Sequence, residues 1–279
     1  MRRLTLALAL VITAATALGH ENFTVSGDDC TSRNFHWGNR ETVVARETID
    51  GRGLRSIKAS VRHAPLTVIG NSNAGYSIEA CKAATTQADL DAIRVTLDGD
   101  ELRATGPEDR RWHVSYRIHV PRNAEVEVTT KNGPLALRDV DGTIVARSSN
   151  GPLSLDNVSG DVEATTTNGP LSISGGSGNV KARASNGPLS IDLDGNSWLN
   201  GSLEASTKNG PLSVRLPRGY NSGVVVESSG RSPFSCRAEG CRSFDDDDDD
   251  NHRRVELGNG RTDVRVSTVN GPVTIRENE

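Results

Sequence analysis

Apolar and polar residues alternate with a period of two through most of the chain, and turns interrupt the alternation at a fixed interval. The interrupting motif is Asn-Gly-Pro-Leu, with Val in place of Leu in the last copy. Its six copies begin at Asn132, Asn150, Asn168, Asn186, Asn209 and Asn270. The first four are eighteen residues apart. A period of two is typical of strands with one buried face, and a fixed repeat predicts an array of similar β units.

Each unit contains a strand with Leu-x-Leu or Leu-x-Ile and a second strand with Val-x-Ala-x-Thr. Alignment of the units places their apolar residues in columns. The predicted core row is Leu135, Leu153, Leu171, Leu189, Leu212 and Val273. At about 3.3 Å per residue, one unit forms a circuit of about 60 Å, enough for two strands and two tight turns. The sequence therefore predicts an all-β protein, a β-solenoid of the parallel β-helix type with coils of about eighteen residues.

The turns between coils are predicted to stack. Equivalent residues of successive coils would lie about 4.8 Å apart, so the asparagines are expected to hydrogen-bond side chain to side chain as a ladder. Gly is expected to ease the turn, and Pro to stand where a strand begins. A three-sided coil of hexapeptides is the alternative, but the residues six after Leu135 and Leu153 are the polar Asp141 and Ser159. The pattern favours two sides.

Outside the regular units the pattern divides the chain further. The predicted segments are a signal peptide at 1–19, an irregular N-terminal cap at 20–55, degenerate first repeats at 56–120, regular repeats at 121–229, a cysteine-containing acidic insertion at 230–252 and final coils at 253–279. One short helix is predicted at 82–92, where alanines replace the β pattern. Polar Arg276 to Glu279 suit an open sheet edge at the end of the coil.

The N-terminus has the features of a secretory signal peptide. Arg2 and Arg3 precede an apolar run from Leu4 to Ile12, and small residues follow, with cleavage after Ala17 or Gly19 fitting equally well. The apolar run is too short to span a membrane. The mature chain is therefore expected to be exported, periplasmic or extracellular at the cell surface, without a transmembrane span.

Four cysteines in an exported chain indicate two disulfides, for which three pairings exist. Cys236 and Cys241 are five residues apart with Gly240 between them, which allows a local bridge and would leave Cys30 with Cys81. The sequence leaves the pairing open, with free buried thiols as the alternative. Neither pair has C-x-x-C spacing, so redox or zinc chemistry is not indicated.

Charge gives one further local feature. The formal net charge is -4, and one uninterrupted run is acidic. This run, the weak metal candidate of the chain, is Asp245, Asp246, Asp247, Asp248, Asp249 and Asp250. Oxygen ligands suit Ca²⁺, but consecutive aspartates without Gly spacing do not make a defined cage, so a solvated loop is expected. No cofactor is indicated, and a basic stripe typical of nucleic-acid binding is absent from the sequence.

The sequence contains no catalytic motif such as G-x-S-x-G, H-E-x-x-H or a P-loop. One outward column mixes charges of both signs, which favours stabilisation between strands over a paired acid and base. Its members are Arg138, Asp156, Ser174, Asp192 and Arg215. Trp198 is a candidate surface contact for a sugar or a partner, with use in the core as the alternative. His63, at an Asn position of the turn motif, is expected to be structural.

Three segments carry a resemblance to a known family. They are the repeated Asn-Gly-Pro-Leu-Ser-Leu strand, Gly-Asp-Val-Glu-Ala at 160–164, and Val-Pro-Arg-Asn-Ala-Glu-Val-Glu-Val at 120–128. Over about residues 40–279 the chain resembles the bacterial putative-adhesin family of exported β-strand-repeat proteins, long labelled a domain of unknown function. The resemblance implies a β-solenoid with a role in adhesion or envelope interaction, and it transfers no catalytic residue.

We therefore expect a non-enzymatic binding protein of the cell envelope. Its partner would be an unknown surface polymer or protein, and its coil edges could also support self-association. The alternatives are a carbohydrate-active β-helix enzyme and a purely structural envelope scaffold.

Overall fold

The computed structural model describes residues 23–25, 30–32, 35–37, 41–71, 75–108, 111–239, 241, 244–246, 253–258 and 260–278. Within them the chain is almost entirely β-structure, which confirms the predicted all-β class. The elements are β1 (Phe23–Val25), β2 (Phe35–Trp37), β3 (Val43–Gly51), β4 (Ser56–Val61), β5 (Leu66–Gly70), β6 (Tyr76–Ala84), α1 (Gln87–Ala92), β7 (Arg94–Asp98), β8 (Glu101–Thr105), β9 (Trp112–Val120), β10 (Ala124–Thr130), β11 (Leu135–Arg138), β12 (Asp141–Ser148), β13 (Leu153–Asp156), β14 (Ser159–Asn168), β15 (Leu171–Ser174), β16 (Asn179–Asn186), β17 (Leu189–Asp192), β18 (Leu203–Asn209), β19 (Leu212–Pro217), β20 (Gly223–Ser228), β21 (Phe234–Arg237), β22 (Phe244–Asp246), β23 (Arg253–Leu257), β24 (Thr262–Asn270) and β25 (Val273–Asn278).

Two large sheets contain all of these strands except β1 and β2, which pair with each other. Sheet I has 12 strands in the order β22-β23-β20-β24-β18-β16-β14-β12-β10-β4-β8-β7. Sheet II has 11 strands in the order β21-β25-β19-β17-β15-β13-β11-β5-β9-β6-β3. Both sheets are mixed. Pairing is parallel through the repeats, and it is antiparallel at both ends of sheet I and at the β3 end of sheet II. Neither closes on itself over the described strands.

Repeat-equivalent residues lie beside each other in neighbouring strands. Leu153 of β13 is in register with Leu135 on one side and Leu171 on the other, and Ser154 is likewise in register with Ser172. A slip of one residue would turn every apolar side chain to the outer face, so the buried face fixes this register.

The core lies between the inner faces of the two sheets. The core row of sheet II consists of Leu135, Leu153, Leu171, Leu189, Leu212 and Val273, each at most 1% exposed. Valine, isoleucine, leucine and alanine of sheet I meet this row in one continuous apolar cluster. Because successive side chains of a strand point to opposite faces, this packing fixes which residues face outwards.

A row of buried hydroxyl groups lies at the ends of five sheet I strands, β10, β12, β14, β18 and β24, where the chain turns towards sheet II. Its members are Thr130, Ser148, Thr166, Thr207 and Thr268, each at most 3% exposed. Their hydroxyls donate to carbonyl oxygens of the turn glycines, for example Thr130 to Gly133 at 3.1 Å and Thr207 to Gly187 at 2.9 Å. The hydrogen bonds satisfy polar groups that would otherwise be costly to bury.

The glycine of each Asn-Gly-Pro turn is required by the close stacking of the units. A Cβ at Gly169 would lie 2.2 Å from the carbonyl oxygen of Gly151, and one at Gly187 would lie 2.1 Å from that of Gly169. These glycines do not have a positive φ. The expectation that Gly serves the turn conformation was therefore wrong, since the tight spacing between layers excludes a side chain.

Helix α1 is shorter than the predicted helix at 82–92 and begins at Gln87. Residues 82–84 instead continue β6, because they have antiparallel partners on both sides: Lys82 lies beside Val114 of β9 and Ala45 of β3. Pairing with two strands overrides the helix preference of the alanines. The helix begins where Thr86 Oγ1 accepts a hydrogen bond from the Asp89 backbone N–H at 3.1 Å.

The order of strands in space departs from chain order at both ends of the molecule. In sheet I, β24 lies between β18 and β20, and in sheet II, β25 lies between β19 and β21. All four neighbours precede β24 and β25 in the chain. At the other end β9 lies between β5 and β6. Arg276 of β25 has strand partners on both sides, Arg215 and Arg237, so the predicted open edge was wrong at this residue. Glu277 and Asn278 pair with β19 alone among the described strands.

Two disulfides are formed, Cys30–Cys81 and Cys236–Cys241. This is the pairing in which Cys236 and Cys241 make the local bridge. The first joins the N-terminal segment to β6, where Phe35 packs with Cys81 and Ala83. The second joins Cys236 of β21 to Cys241, four residues after the end of this strand.

Candidate binding surface

The outer face of sheet II contains a row of small side chains, which we call the hydroxyl row. It consists of Thr67, Ala136, Ser154, Ser172, Ser190, Ser213, Thr274 and Ser235. The parallel register places these residues on eight neighbouring strands, none of them fully buried. Ser172 Oγ donates to Ser154 Oγ at 3.2 Å. The alternation of the strands thus creates a row of hydroxyl groups perpendicular to the strands, in which Ala136 is the one member without a hydroxyl.

Beside the hydroxyl row, two residues further along each strand, lies a charged row. It consists of Arg138, Asp156, Ser174, Asp192, Arg215, Arg276 and Arg237. Sequence analysis found the first five and missed Arg276 and Arg237, whose strands follow the insertion or lie within it. Asp192 pairs with Arg215, with Nε 3.8 Å from Oδ2, and it accepts a hydrogen bond from Asn278 Nδ2 at 3.0 Å.

The outer face of sheet I is charged in a different way, because its signs alternate between strands. Arg147 lies between two glutamates, with its guanidinium 3.6 Å from the carboxylate of Glu127 and 3.8 Å from that of Glu163. Another row runs through Glu163, Lys181, Glu204 and Arg265 in register. Exposed pairs of this kind contribute about 0–1 kcal/mol each, so alternation mainly avoids repulsion.

The turn asparagines form a continuous series of side-chain hydrogen bonds, which we call the turn ladder. Its members are Asn132, Asn150, Asn168, Asn186, Asn209 and Asn270. In every step Nδ2 of one residue donates to Oδ1 of the previous one, at 2.8–3.0 Å. His63 lies at the N-terminal end of the ladder, its Nδ1 3.0 Å from Asn132 Nδ2. Because the side-chain amides of these asparagines hydrogen-bond to one another, we interpret the ladder as a feature that stabilises this corner.

A second, shorter series lies at the opposite corner of the units and was not predicted. Asn157 Nδ2 donates to Asp139 Oδ1 at 2.7 Å, and both residues have a positive φ, 51° and 53°. Asn179 Nδ2 likewise donates to Asp161 Oδ1 at 2.9 Å. Asn and Asp tolerate the left-handed conformation, which explains the use of Asp139 and Asn157. Their eighteen-residue separation is the signal that could have found them.

Trp198 is a core residue and not a surface contact. It is 5% exposed, and its indole N–H donates to the Gly178 carbonyl oxygen at 2.8 Å. Its backbone N–H donates to Ser222 Oγ at 3.0 Å. The ring therefore fills the corner created by the expanded loop after β17, which corrects the interpretation of Trp198 as a candidate for sugar stacking.

A cluster of polar residues near Trp198 was not predicted by sequence analysis. Burial raises the pKa of Tyr220, and the carboxylates of Asp194 and Asp263 raise it further. Ser222 Oγ donates to Asp263 Oδ2 at 3.1 Å, and Arg261 Nε lies 3.1 Å from Asp263 Oδ1. These residues come from separate loops and strands, so no local motif marks them.

His113 is a buried titratable group of the N-terminal end. Its side chain packs edge-on against His63, with ring centroids 6.0 Å apart. Burial lowers the pKa of His113 to about 3, and the charge of His63 adds to the shift. His113 is therefore neutral at physiological pH and fits a structural role.

The acidic run is only partly within the described residues. Asp245 and Asp246 belong to β22, where they are in backbone register with Arg254 and Arg253 of β23. Residues 247–250 lie outside the described residues. Among the residues that are described, no group of three or more His, Cys, Asp or Glu side chains is placed to hold a metal ion. The described part of the chain also contains no helix with the length and apolarity needed to cross a membrane.

Comparisons with known proteins give distant structural neighbours. A crystal structure of a putative cell adhesion protein from Clostridium sporogenes aligns with 85% of this chain and 100% of its own, at 11% identity and a TM-score of 0.32. A putative adhesin from Bacteroides fragilis aligns with 85% of this chain and 97% of its own, at 9% identity and a TM-score of 0.39. No protein-family model matches the chain, and no curated protein matches it.

Proposed function

We propose that this protein is an exported, non-enzymatic β-solenoid that binds a surface polymer or protein of the cell envelope through its flat outer faces. The observation that carries the proposal is the hydroxyl row, which crosses eight neighbouring strands of sheet II in register. A regular row of donors and acceptors on a rigid face suits a regular, extended ligand, because little conformational freedom is lost on binding.

The β-solenoid architecture is supported by the parallel, in-register pairing of successive units. The chain alternates between sheet II and sheet I from β10 to β19, and each strand lies beside its equivalent in the next unit. Neighbouring units bury the core row and complete the hydrogen bonds that a single unit could not satisfy.

Export is supported by the two disulfides together with the predicted signal peptide. Cys30–Cys81 and Cys236–Cys241 account for all four cysteines. Disulfides of this kind persist in oxidising compartments and are rare where thiols are kept reduced. An envelope location would place the outer faces in contact with surface polymers.

A binding screen with purified mature protein tests the proposal. Wild type is expected to bind at least one glycan or envelope fraction. A triple variant of the hydroxyl row, Ser154→Glu, Ser172→Glu and Ser190→Glu, should bind at least about tenfold more weakly, because the ligand would have to bury three carboxylates on this face. The control variant, Thr129→Glu with Thr165→Glu, introduces the same residue type on the outer face of sheet I. Equal binding by the triple variant and the control would contradict use of this face.

A carbohydrate-active enzyme is the second candidate, and the cluster around Tyr220 favours it. The carboxylates of Asp194 and Asp263 raise the pKa of the buried Tyr220 phenol, and Asp263 Oδ2 accepts a hydrogen bond from Ser222 Oγ at 3.1 Å. Paired carboxylates perform acid and base steps in glycoside hydrolysis. Release of sugar from a polysaccharide by the purified protein, lost in Asp194→Asn and kept in Asp156→Asn, would favour the enzyme over the binding protein.

A further inference from the structure

Three arginines stand next to one another at the C-terminal end of the charged row, and we call them the arginine triad. Arg215 of β19 is in register with Arg276 of β25, which is in register with Arg237 of β21. All three are exposed on the outer face of sheet II. Adjacent strands are about 4.8 Å apart, so three positive charges lie in a line about 10 Å long.

This arrangement is electrostatically unfavourable in the free protein. Like charges directly beside each other on neighbouring strands destabilise a sheet. Elsewhere the outer rows avoid such contacts, as Glu204 next to Arg265 on sheet I shows. Asp192 balances Arg215 at one end of the triad, but no carboxylate of the described residues makes an ion pair with Arg276 or Arg237. Arg276 and Arg237 therefore present exposed positive charge to an anion from outside.

The strand that supplies the third arginine is held by a covalent bridge. Strand β21 has β25 as its single neighbour among the described strands of sheet II. Cys236, directly before Arg237, is bonded to Cys241, and the Ala238 N–H donates to Cys241 Sγ at 3.2 Å. The bridge therefore fixes an edge strand whose outward side chain completes the triad.

The neighbouring hydroxyls narrow the chemistry of the ligand. Ser213, Thr274 and Ser235 stand two residues before the arginines on the same face, about 7 Å away along each strand. A ligand lying across the strands would meet arginines along one edge and hydroxyls along the other. Arginine binds carboxylates with two parallel hydrogen bonds, and hydroxyls suit the hydroxyl groups of sugars.

We infer that the arginine triad binds a linear polysaccharide carrying carboxylate groups, a polyuronate, laid across the strands of sheet II. The inference rests on the proposed binding function and names its ligand class and site. A nucleic acid would need a broad basic surface, whereas the protein has a net charge of -4.

The test measures binding of the mature protein to polygalacturonate by calorimetry. Its methyl ester, which has the same backbone without the charge, is the comparison ligand. Wild type should bind the acid and lose at least about tenfold in affinity for the ester. Arg276→Gln should weaken binding to the acid by at least about tenfold, and added salt should weaken wild-type binding. Arg265→Gln is the matched control, because Arg265 is an exposed arginine of the same repeat unit on sheet I.

The outcomes separate this inference from the proposed function. If wild type binds envelope fractions while Arg276→Gln binds them and polygalacturonate equally well, the inference fails and the binding function stands. If polyglutamate binds as tightly as polygalacturonate, the polysaccharide assignment fails. If wild type binds no glycan and no envelope fraction, both fail. The melting temperature of Arg276→Gln should equal or exceed that of wild type, because the substitution removes repulsion. A lower value would make Arg276 a structural residue and overturn the inference.

Discussion

The repeat array, residues 124–217, and the C-terminal region, residues 218–278, use the same strand motifs in different spatial orders. In the array each strand lies beside its equivalent in the next unit along the chain. In the C-terminal region β24 and β25, the last strands of the chain, lie inside the sheets, while the earlier β20 and β21 lie outside them. The array is therefore built from contacts that are local in sequence, and the C-terminal region from contacts that are not.

The difference shows that a repeat motif determines that a strand joins the stack of units, but not which strands become its neighbours. Asn270 continues the turn ladder by donating to Asn209 Oδ1 at 3.0 Å, as its motif predicts. It lies directly beside Asn209 because β24 pairs with β18, although β19 to β23 separate them in the chain. Non-local pairings of this kind form more slowly than local ones, because a longer loop must close first.

The largest expected effect comes from a charge in the core of the array. Leu171 is 0% exposed, so Leu171→Asp should lower the free energy of unfolding by more than about 4 kcal/mol and abolish the cooperative transition. Ser172→Asp, one residue further on the outer face, should cost less than about 1 kcal/mol. Thermal and urea unfolding followed by circular dichroism would measure both variants. Equal midpoints would contradict the assignment of the inner and outer faces.

A truncation after Arg261 tests the spatial order of the C-terminal region. Without β24 and β25, the strands β20 and β21 lose their parallel neighbours. Amide protection should therefore be lost over 223–237 and 253–257 and kept over 135–192. Hydrogen exchange read by mass spectrometry would show this. Protection retained over 223–237 would mean that β20 and β21 can pair with β18 and β19 directly, and β24 and β25 would then be dispensable for this region.

The smallest effect distinguishes an inner step of the turn ladder from its end. Asn168 donates to Asn150 at 2.9 Å and accepts from Asn186 at 3.0 Å, whereas Asn270 makes one such bond. Each bond contributes about 0.5–1.5 kcal/mol, so Asn168→Ala should cost about twice as much as Asn270→Ala. Urea denaturation with a shared m-value would resolve the difference. Identical losses would show that the ladder adds nothing beyond the individual side chains.

Much of the fold could be predicted because the signals are local and repeated. The period of two fixes which face of each strand is buried, and Leu135 to Val273 of the core row are each at most 1% exposed. The limits of the helix were harder to predict, because the partners of residues 82–84 lie in β3 and β9. The intrinsic helix propensity of the alanines does not depend on those partners, so it could not indicate them.

The candidate site was predicted only in part. The hydroxyl row follows from the repeated Ser between two apolar residues. Trp198 was ambiguous because its burial depends on Ser222 and Gly178, which are 24 and 20 residues away. The cluster of Tyr220, Asp194 and Asp263 likewise assembles from separate segments.

By itself, the sequence determined the strand register, the buried face and the stacked turns of this protein, because each depends on residues that recur within one unit. Only the tertiary structure decided which strands became neighbours at the two ends. Pairing there joins strands far apart in the chain, so no pattern within one repeat unit specifies it. The arginine triad depends on this pairing, since Arg237 joins the row because β21 pairs with β25.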